Sequence, residues 1–263
     1  MPELPEVNTF QRYFDGTSLK QKIEEVIVHD DKIIQDIDGL TFAAQLQGRS
    51  FIKSYRQGKY LFGELDNEHH VLFHFGMTGD FKYYQDEEEK PKHERFVFLF
   101  ENGYRLGFDC PRKFAKIRYL EDRAAYLAKI QLGTDALRIS KEEFLEKAQG
   151  KKASIKGFLL NQKQLAGVGN LYADEVLYQL RIHPASKVNK LSQKQLTNII
   201  QKTQEILQIA IDRAAYYKEY PENWFWEWRK DGAIAPDGKS KIQIAKIGGR
   251  TTYFFEGYQK MYG

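Results

Sequence analysis

The first residues carry a helical pattern. From Leu4 to about Phe14 the apolar positions Val7, Phe10, Tyr13 and Phe14 fall at helical spacing. Pro5 suits the first turn, where its missing N–H costs nothing, and Gly16 predicts the end. From Lys22 to about Leu120 the period shortens. Glu25–His29, Ser50–Tyr55, Lys59–Leu65, His70–Phe75, Arg95–Phe100 and Tyr104–Phe108 alternate or are aromatic-rich, and Asp38-Gly39, Gln57-Gly58, Asn67 and Asn102-Gly103 read as turns between them. Such spacing predicts an antiparallel sandwich or barrel. From about Glu121 the period becomes helical again, with helices predicted at Asp122–Ile130, Lys141–Ala148, Lys151–Leu160, Asn170–Leu180 and Leu191–Tyr217. Lys241–Ile247 and Thr251–Phe255, joined by Gly248-Gly249, predict a terminal hairpin. The plan is a bilobal α+β chain: an N-terminal helix with an antiparallel β-sandwich, a helical domain, and a C-terminal β-hairpin. The predicted divisions are residues 1–121, a linker over 122–134, a helical domain over 135–223 and the hairpin region 224–263.

Composition narrows the class. The 263 residues are 42% apolar and 29% charged, which excludes a largely disordered or fibrous chain. The lone Cys110 excludes an intrachain disulfide framework and a Cys₄ zinc site. No run approaches 18 apolar residues, so no membrane span is predicted, and an acidic start without an apolar h-region predicts no signal peptide and a cytoplasmic location. The net charge of +4 is unevenly spread. Residues 1–130 carry 19 Lys and Arg against 22 Asp and Glu, whereas residues 131–263 carry 21 against 14. A basic second half suggests a polyanionic partner, with a merely solvated basic surface as the alternative. The acidic run Asp86-Glu87-Glu88-Glu89 reads as a solvated loop tip.

Two local features bear on chemistry. Pro2 permits removal of Met1, which would expose a secondary amine of pKa about 8 with a useful neutral fraction at neutral pH. Attack by such an amine on an aldehyde-like carbon gives a permanently charged iminium, an electron sink, and Glu3 would shuttle protons beside it. Met-Pro starts are also common without any such role. The second feature is Gly167-Val168-Gly169-Asn170, following a basic stretch that holds Lys151, Lys152 and Lys156. Gly167 and Gly169 permit a tight turn, and Asn170 would cap the next helix, whose free N–H groups form an anion site. An ordinary helix–turn–helix corner is the alternative.

Together these residues resemble the formamidopyrimidine-DNA glycosylase family, which includes endonuclease VIII. The likeness is collinear over nearly the whole chain. It runs through Met1-Pro2-Glu3-Leu4-Pro5-Glu6-Val7, Gly58-Lys59-Tyr60-Leu61, His74-Phe75-Gly76-Met77-Thr78-Gly79, Asp109-Cys110-Pro111-Arg112-Lys113-Phe114, Asn161-Gln162-Lys163, the stretch from Gly167 to Glu175, and Gly248-Gly249-Arg250-Thr251-Thr252-Tyr253. The opening Glu3-Leu4-Pro5-Glu6 is closer to the formamidopyrimidine branch.

The resemblance implies a monomeric bifunctional glycosylase and AP lyase of base excision repair, which acts on damaged double-stranded DNA without a cofactor. It would remove oxidised bases of the 8-oxoguanine or formamidopyrimidine type and cut the strand by β,δ-elimination. By position, Pro2 is the nucleophile, Glu3 its acid/base partner, Glu6 a support, and Lys59 a contact to phosphate or sugar. Lys156 and Asn170 bind phosphate in a helix–two-turn–helix motif with Gly167 and Gly169, and Arg250 grips the phosphates of the lesion nucleotide. Met77, Arg112 and Phe114 fill the gap left by the extruded base, since extrusion costs a few kcal/mol of stacking and pairing that a wedge partly recovers. For Met77 and Phe114 the alternative is core packing. His74 reads as a packed, hydrogen-bonded strand residue.

The sequence also departs from the family. Most members end in a Cys₄ zinc finger; here Phe255 and Tyr258 stand at the last two cysteine positions, so the hairpin is expected to be a zincless finger held by aromatic burial, with no metal site. Ala210–Ala235 is shorter than the formamidopyrimidine branch implies, which leaves 8-oxoguanine preference open, and Trp224-Phe225-Trp226-Glu227-Trp228 reads as core, with base stacking as the alternative. Cys110 replaces a usual Asp where the chain bends to present Arg112. If Met1 is retained, Pro2 is an amide and cannot attack. The alternatives kept open are an endonuclease VIII-like preference for oxidised pyrimidines and a non-catalytic damaged-DNA binder.

Overall fold

In the computed structural model, which describes residues 1–230 and 232–263, the chain divides into two units, Met1–Gln131 and Leu132–Gly263. The division falls inside the stretch expected to be a linker. Arg123–Ile130 there is a helix counted with the first unit, because Arg123 lies over the Tyr55 ring at 3.9 Å and Tyr126 and Leu127 pack on Phe62 and Leu72.

The first unit opens with α1 (Leu4–Ser18) and continues with β1 (Ile23–Val28), α2 (Gly39–Leu46), β2 (Phe51–Gln57), β3 (Tyr60–Leu65), β4 (His70–His74), β5 (Asp80–Tyr84), β6 (Glu94–Phe100), β7 (Arg105–Asp109), β8 (Lys116–Leu120) and α3 (Arg123–Ile130). The strands form two antiparallel four-stranded sheets, ordered β1-β6-β7-β5 and β2-β3-β4-β8. Rings from the two sheets meet: Phe51 lies 5.6 Å from Phe98, Phe73 6.3 Å from Phe108, and Phe73 5.1 Å from Phe81. This aromatic core is what the alternating strands predict, since every second residue must leave water. From α1, Phe14 packs edge-on against Phe51 at 4.9 Å, and Phe10 lies 4.3 Å from Phe75.

Three local expectations are corrected. α1 runs through Gly16 to Ser18, where Thr17 and Ser18 complete the last turn and Leu19 turns extended. Asp38-Gly39 is a helix start and not a turn: the Asp38 carboxylate accepts the Thr41 N–H at 2.7 Å and caps α2. β5 and β8 are strands that the pattern did not single out, although Phe81 and Tyr83 in β5, and Ile117 and Tyr119 in β8, alternate with polar residues along them.

The second unit contains β9 (Thr134–Asp135), α4 (Lys141–Ala148), α5 (Ile155–Leu160), β10 (Leu165–Ala166), α6 (Asn170–Gln179), α7 (Gln193–Asp212), β11 (Ile242–Ile247) and β12 (Arg250–Phe255). Its α5 begins later than the pattern predicts, because Ser154 caps it by accepting the Gly157 N–H at 3.1 Å. α7 opens with a capping box at Ser192 and Gln195, and ends where Ala214 and Ala215 take positive φ. Val176 and Leu177 of α6, with Ile199, Ile206 and Leu207 of α7, are fully buried. Among the described residues no helix is long and apolar enough to cross a membrane.

Candidate functional site

In the first unit the chain start is fixed by its own side chains. Glu3 is the N-cap of α1: its carboxylate accepts the Glu6 N–H, while the Glu6 carboxylate accepts the Glu3 N–H at 2.9 Å. This reciprocal capping box satisfies two donors that a helix start leaves open. It also fixes the peptide that joins Pro2 to Glu3. Pro2 is half-buried and Glu3 buried, so the two stand at the edge of the core and not on a free tail.

Lys59 sits in the two-residue turn between β2 and β3, after Gly58 in the left-handed region, and is buried. Its charge reaches His74. Burial, then Lys59 and then Lys116, pushes the His74 imidazole down to about 4. The neutral ring accepts the Gly76 N–H on Nδ1 at 3.3 Å and lies 5.1 Å from Tyr60, so His74 is the packed residue expected from its strand.

Met77, Arg112 and Phe114 come together on two loops. Gly76 has φ +61, and a methyl built on it would fall under 3.0 Å from the Phe114 carbonyl and the Ala115 nitrogen. The Thr78 hydroxyl accepts the Arg112 N–H at 3.4 Å, and the Arg112 guanidinium lies 5.0 Å over the Phe114 ring. Met77 is 41% and Phe114 52% exposed, which removes core packing as their role. Arg95, which the sequence did not mark, holds the second loop from beneath: its guanidinium donates to the carbonyls of Cys110 (2.9 Å) and Pro111 (3.3 Å) and pairs with Asp30. The Cys110 side chain is buried in the core, so the change at that position leaves the bend anchored through its carbonyl.

In the second unit, Gly167 (φ +114) makes the turn before α6. Its N–H donates to the Gln162 side-chain oxygen at 3.0 Å, and the Gln162 amide donates to the Val168 carbonyl at 2.9 Å. Gly169 is itself the N-cap of α6 and has φ −127, which any residue adopts, so the expected left-handed freedom applies to Gly167 only. Asn170 is the first helical residue and not the cap. Its amide donates to the Thr251 carbonyl at 3.0 Å, one residue past Arg250.

Lys156 also differs from expectation. Its ammonium is fully buried, donating to Asp174 Oδ1 at 2.5 Å and to Thr252 Oγ1 at 2.7 Å. The phosphate contact expected of it is corrected to an internal tie between α5, α6 and β12. A buried ammonium needs an anion beside it, and Asp174 is that anion. Arg250 is exposed at the hairpin turn, where Gly248 and Gly249 both have positive φ.

The hairpin is held by rings. Phe255 is fully buried, with Phe225 at 5.5 Å and Tyr178 at 6.1 Å, and Tyr258 stacks on Tyr178 at 5.7 Å. Trp224 and Phe225 are buried, which settles them as core. Glu175 lies below them, 1% exposed, and accepts the Phe225 N–H at 2.6 Å and the Gln179 amide at 2.7 Å. Burial pushes its carboxyl up to about 7 against these donors.

Family models for the N-terminal and H2TH domains of formamidopyrimidine-DNA glycosylase match residues 1–117 and 132–219. The chain belongs to this family. A formamidopyrimidine-DNA glycosylase of Arabidopsis thaliana is 37% identical over all of this chain and 72% of its own length, and one of Aliivibrio fischeri is 30% identical over 97% of this chain and 96% of its own. The Lactococcus lactis formamidopyrimidine DNA glycosylase, solved non-covalently bound to AP-site-containing DNA, matches with a TM-score of 0.89 at 26% identity, over 98% of this chain and 99% of that one. The matches bear out the mixed helix and antiparallel-sheet fold with a C-terminal hairpin. The hairpin of this family member is the zincless finger expected from its single cysteine.

Proposed function

We propose that this member of the family is a bifunctional DNA glycosylase and AP lyase acting as a monomer on damaged double-stranded DNA in the cytoplasm. Its substrate bases are of the 8-oxoguanine or formamidopyrimidine type. The observation that carries the reading is the capping box, which fixes Glu3 beside Pro2 at a half-buried chain start. A site whose acid/base group is held by backbone donors needs little reorganisation when the reaction occurs.

The chemistry follows from residue types. The lesion nucleotide leaves the stack, and Met77 and Phe114, exposed on adjoining loops, take up the gap while Arg112 offers donors to the orphan base. With Met1 removed, the lone pair of the Pro2 amine attacks C1′. The N–C1′ bond forms and the glycosidic bond breaks, with its electrons and a proton leaving on the base. Opening of the sugar ring at O4′ gives the iminium, and Glu3 carries the protons. The iminium acidifies C2′–H, so β-elimination expels the 3′ phosphate, and δ-elimination then expels the 5′ phosphate. Lys59 faces the sugar or its phosphate, and Arg250 grips phosphates from the hairpin. Asn170 binds phosphate at the start of α6 and also ties the hairpin at Thr251, and Lys156 serves by fixing that hairpin.

The test is borohydride trapping on a duplex with a single oxidised base. Reduction of the iminium should leave one covalent protein–DNA adduct, much reduced in Pro2→Gly, whose primary amine still forms a reducible imine and whose DNA binding survives. No adduct from protein shown by mass spectrometry to begin at Pro2 would overturn the proposal and leave a damaged-DNA binder.

A further inference from the structure

Arg250 stands on a short hairpin with an exposed turn, yet a phosphate grip must be held in place to be of use. Three successive residues after it are each tied to a helix. Asn170 donates to the Thr251 carbonyl, Lys156 donates to the Thr252 hydroxyl, and the Asp174 carboxylate accepts the Tyr253 N–H. The Thr252 hydroxyl in turn donates to the carbonyl of Arg250 at 3.0 Å. The turn also lies on α5, since a methyl on Gly248 would meet the Gly157 backbone at 2.8 Å.

One oxygen of Asp174 is taken by Lys156. The other faces Arg229, 3.2 Å away, from the aromatic segment that precedes the hairpin. The Arg229 guanidinium also lies 5.1 Å over the ring of Tyr253 on β12. Asp174 and Lys156 are fully buried and the Arg229 side chain is 15% exposed. The chain of contacts thus runs Arg229–Asp174–Lys156–Thr252–Arg250, within one unit. None of the motifs that carry the family resemblance includes Arg229.

We infer that Arg229 is a positioning residue for Arg250. It holds Asp174, through which Lys156 and Thr252 set the backbone of the hairpin turn. The guanidinium supplies the second cation that a doubly engaged carboxylate requires, and it covers Tyr253, so the aromatic segment and the hairpin are locked together where other family members use zinc. The inference rests on the phosphate role proposed for Arg250.

Steady-state kinetics on a lesion duplex over a range of salt tests it, with Arg229→Ala, Arg229→Lys, Arg250→Ala and the Arg229→Ala/Arg250→Ala double variant. Arg250→Ala should reduce the slope of log affinity on log salt by about one. Arg229→Ala should raise KM roughly tenfold with kcat changed less than about twofold, and should lower the slope in the same direction. Arg229→Lys should restore most of KM, and the double variant should be no worse than Arg250→Ala, because the two act through one contact. A merely structural role would lower the melting temperature and leave KM and slope unchanged at temperatures where the protein is folded. That outcome, or additive losses in the double variant, overturns the inference. Should Arg229→Ala not fold, Arg229→Gln is judged by the same measures. If Arg250→Ala binds normally, the role of Arg250 fails and this inference with it; if only Arg229→Ala is silent, the inference alone fails.

Discussion

The backbone of Gly76 passes against the carbonyl of Phe114 with no room for a side chain between them. That contact joins the loop bearing Met77 to the loop bearing Arg112 and Phe114. Gly76 also has φ +61, so a side chain there is opposed both by its own backbone and by its neighbour. Gly76→Ala should destabilise the protein by roughly 2 kcal/mol or more, as measured by urea unfolding. It should also slow base release more than it weakens DNA binding, since the wedge is displaced while the cationic contacts remain.

Glu3 has two duties that one substitution separates. Glu3→Gln keeps an oxygen to accept the Glu6 N–H, so the melting temperature should stay within a few degrees of the parent. Base release should fall by about 10²–10⁴, the usual worth of a general acid/base, in single-turnover assays. Parental turnover by this variant would remove Glu3 from the chemistry.

The carboxyl of Glu175 is held up at about 7, above its ordinary 4.5, by burial. Its contribution to stability is therefore present below about pH 4.5 and is lost as pH rises through about 7. The loss is on the order of 3 kcal/mol, since each pKa unit is worth about 1.4 kcal/mol. Glu175→Gln should flatten this part of the stability–pH curve and raise stability at pH about 8, as denaturant titrations would show.

His74 has the opposite sign. Its imidazole is held down at about 4, below 6.5, so stability present above pH 6.5 is lost as pH falls through about 4. His74→Asn retains an acceptor for the Gly76 N–H and removes the titration. The acid limb of the unfolding curve should shift to lower pH.

Lys156→Met should cost about 3–5 kcal/mol, because it leaves Asp174 buried with one cation fewer. Hydrogen exchange should report the loss first in Thr252 and Tyr253 of β12, ahead of the sandwich.

Much of this was legible in the chain. The helical spacing of Val7, Phe10 and Phe14 placed α1, and the alternation around Phe96 and Phe98 placed the sandwich. Both periods are properties of one segment and one buried face. The Asp38 cap was not legible as such, because an Asp-Gly pair starts helices and turns alike and only the following residues' packing decides. The exposure of Met77 and Phe114 was equally hidden: an apolar side chain in a loop is core or surface according to what the next loop covers.

The sequence by itself determined the order of elements, the Pro2-Glu3 start with Glu6 one turn on, and the absence of a four-cysteine zinc site, since these depend on residue type and local spacing. Tertiary structure alone decided that Lys156 is buried against Asp174 and Thr252, that Asn170 ties Thr251, and that Arg229 closes the same cluster. Those partners lie 18 to 96 residues apart. No local period relates them; only the packing of α5, α6 and the hairpin, by excluding water, makes each charge find its counterpart.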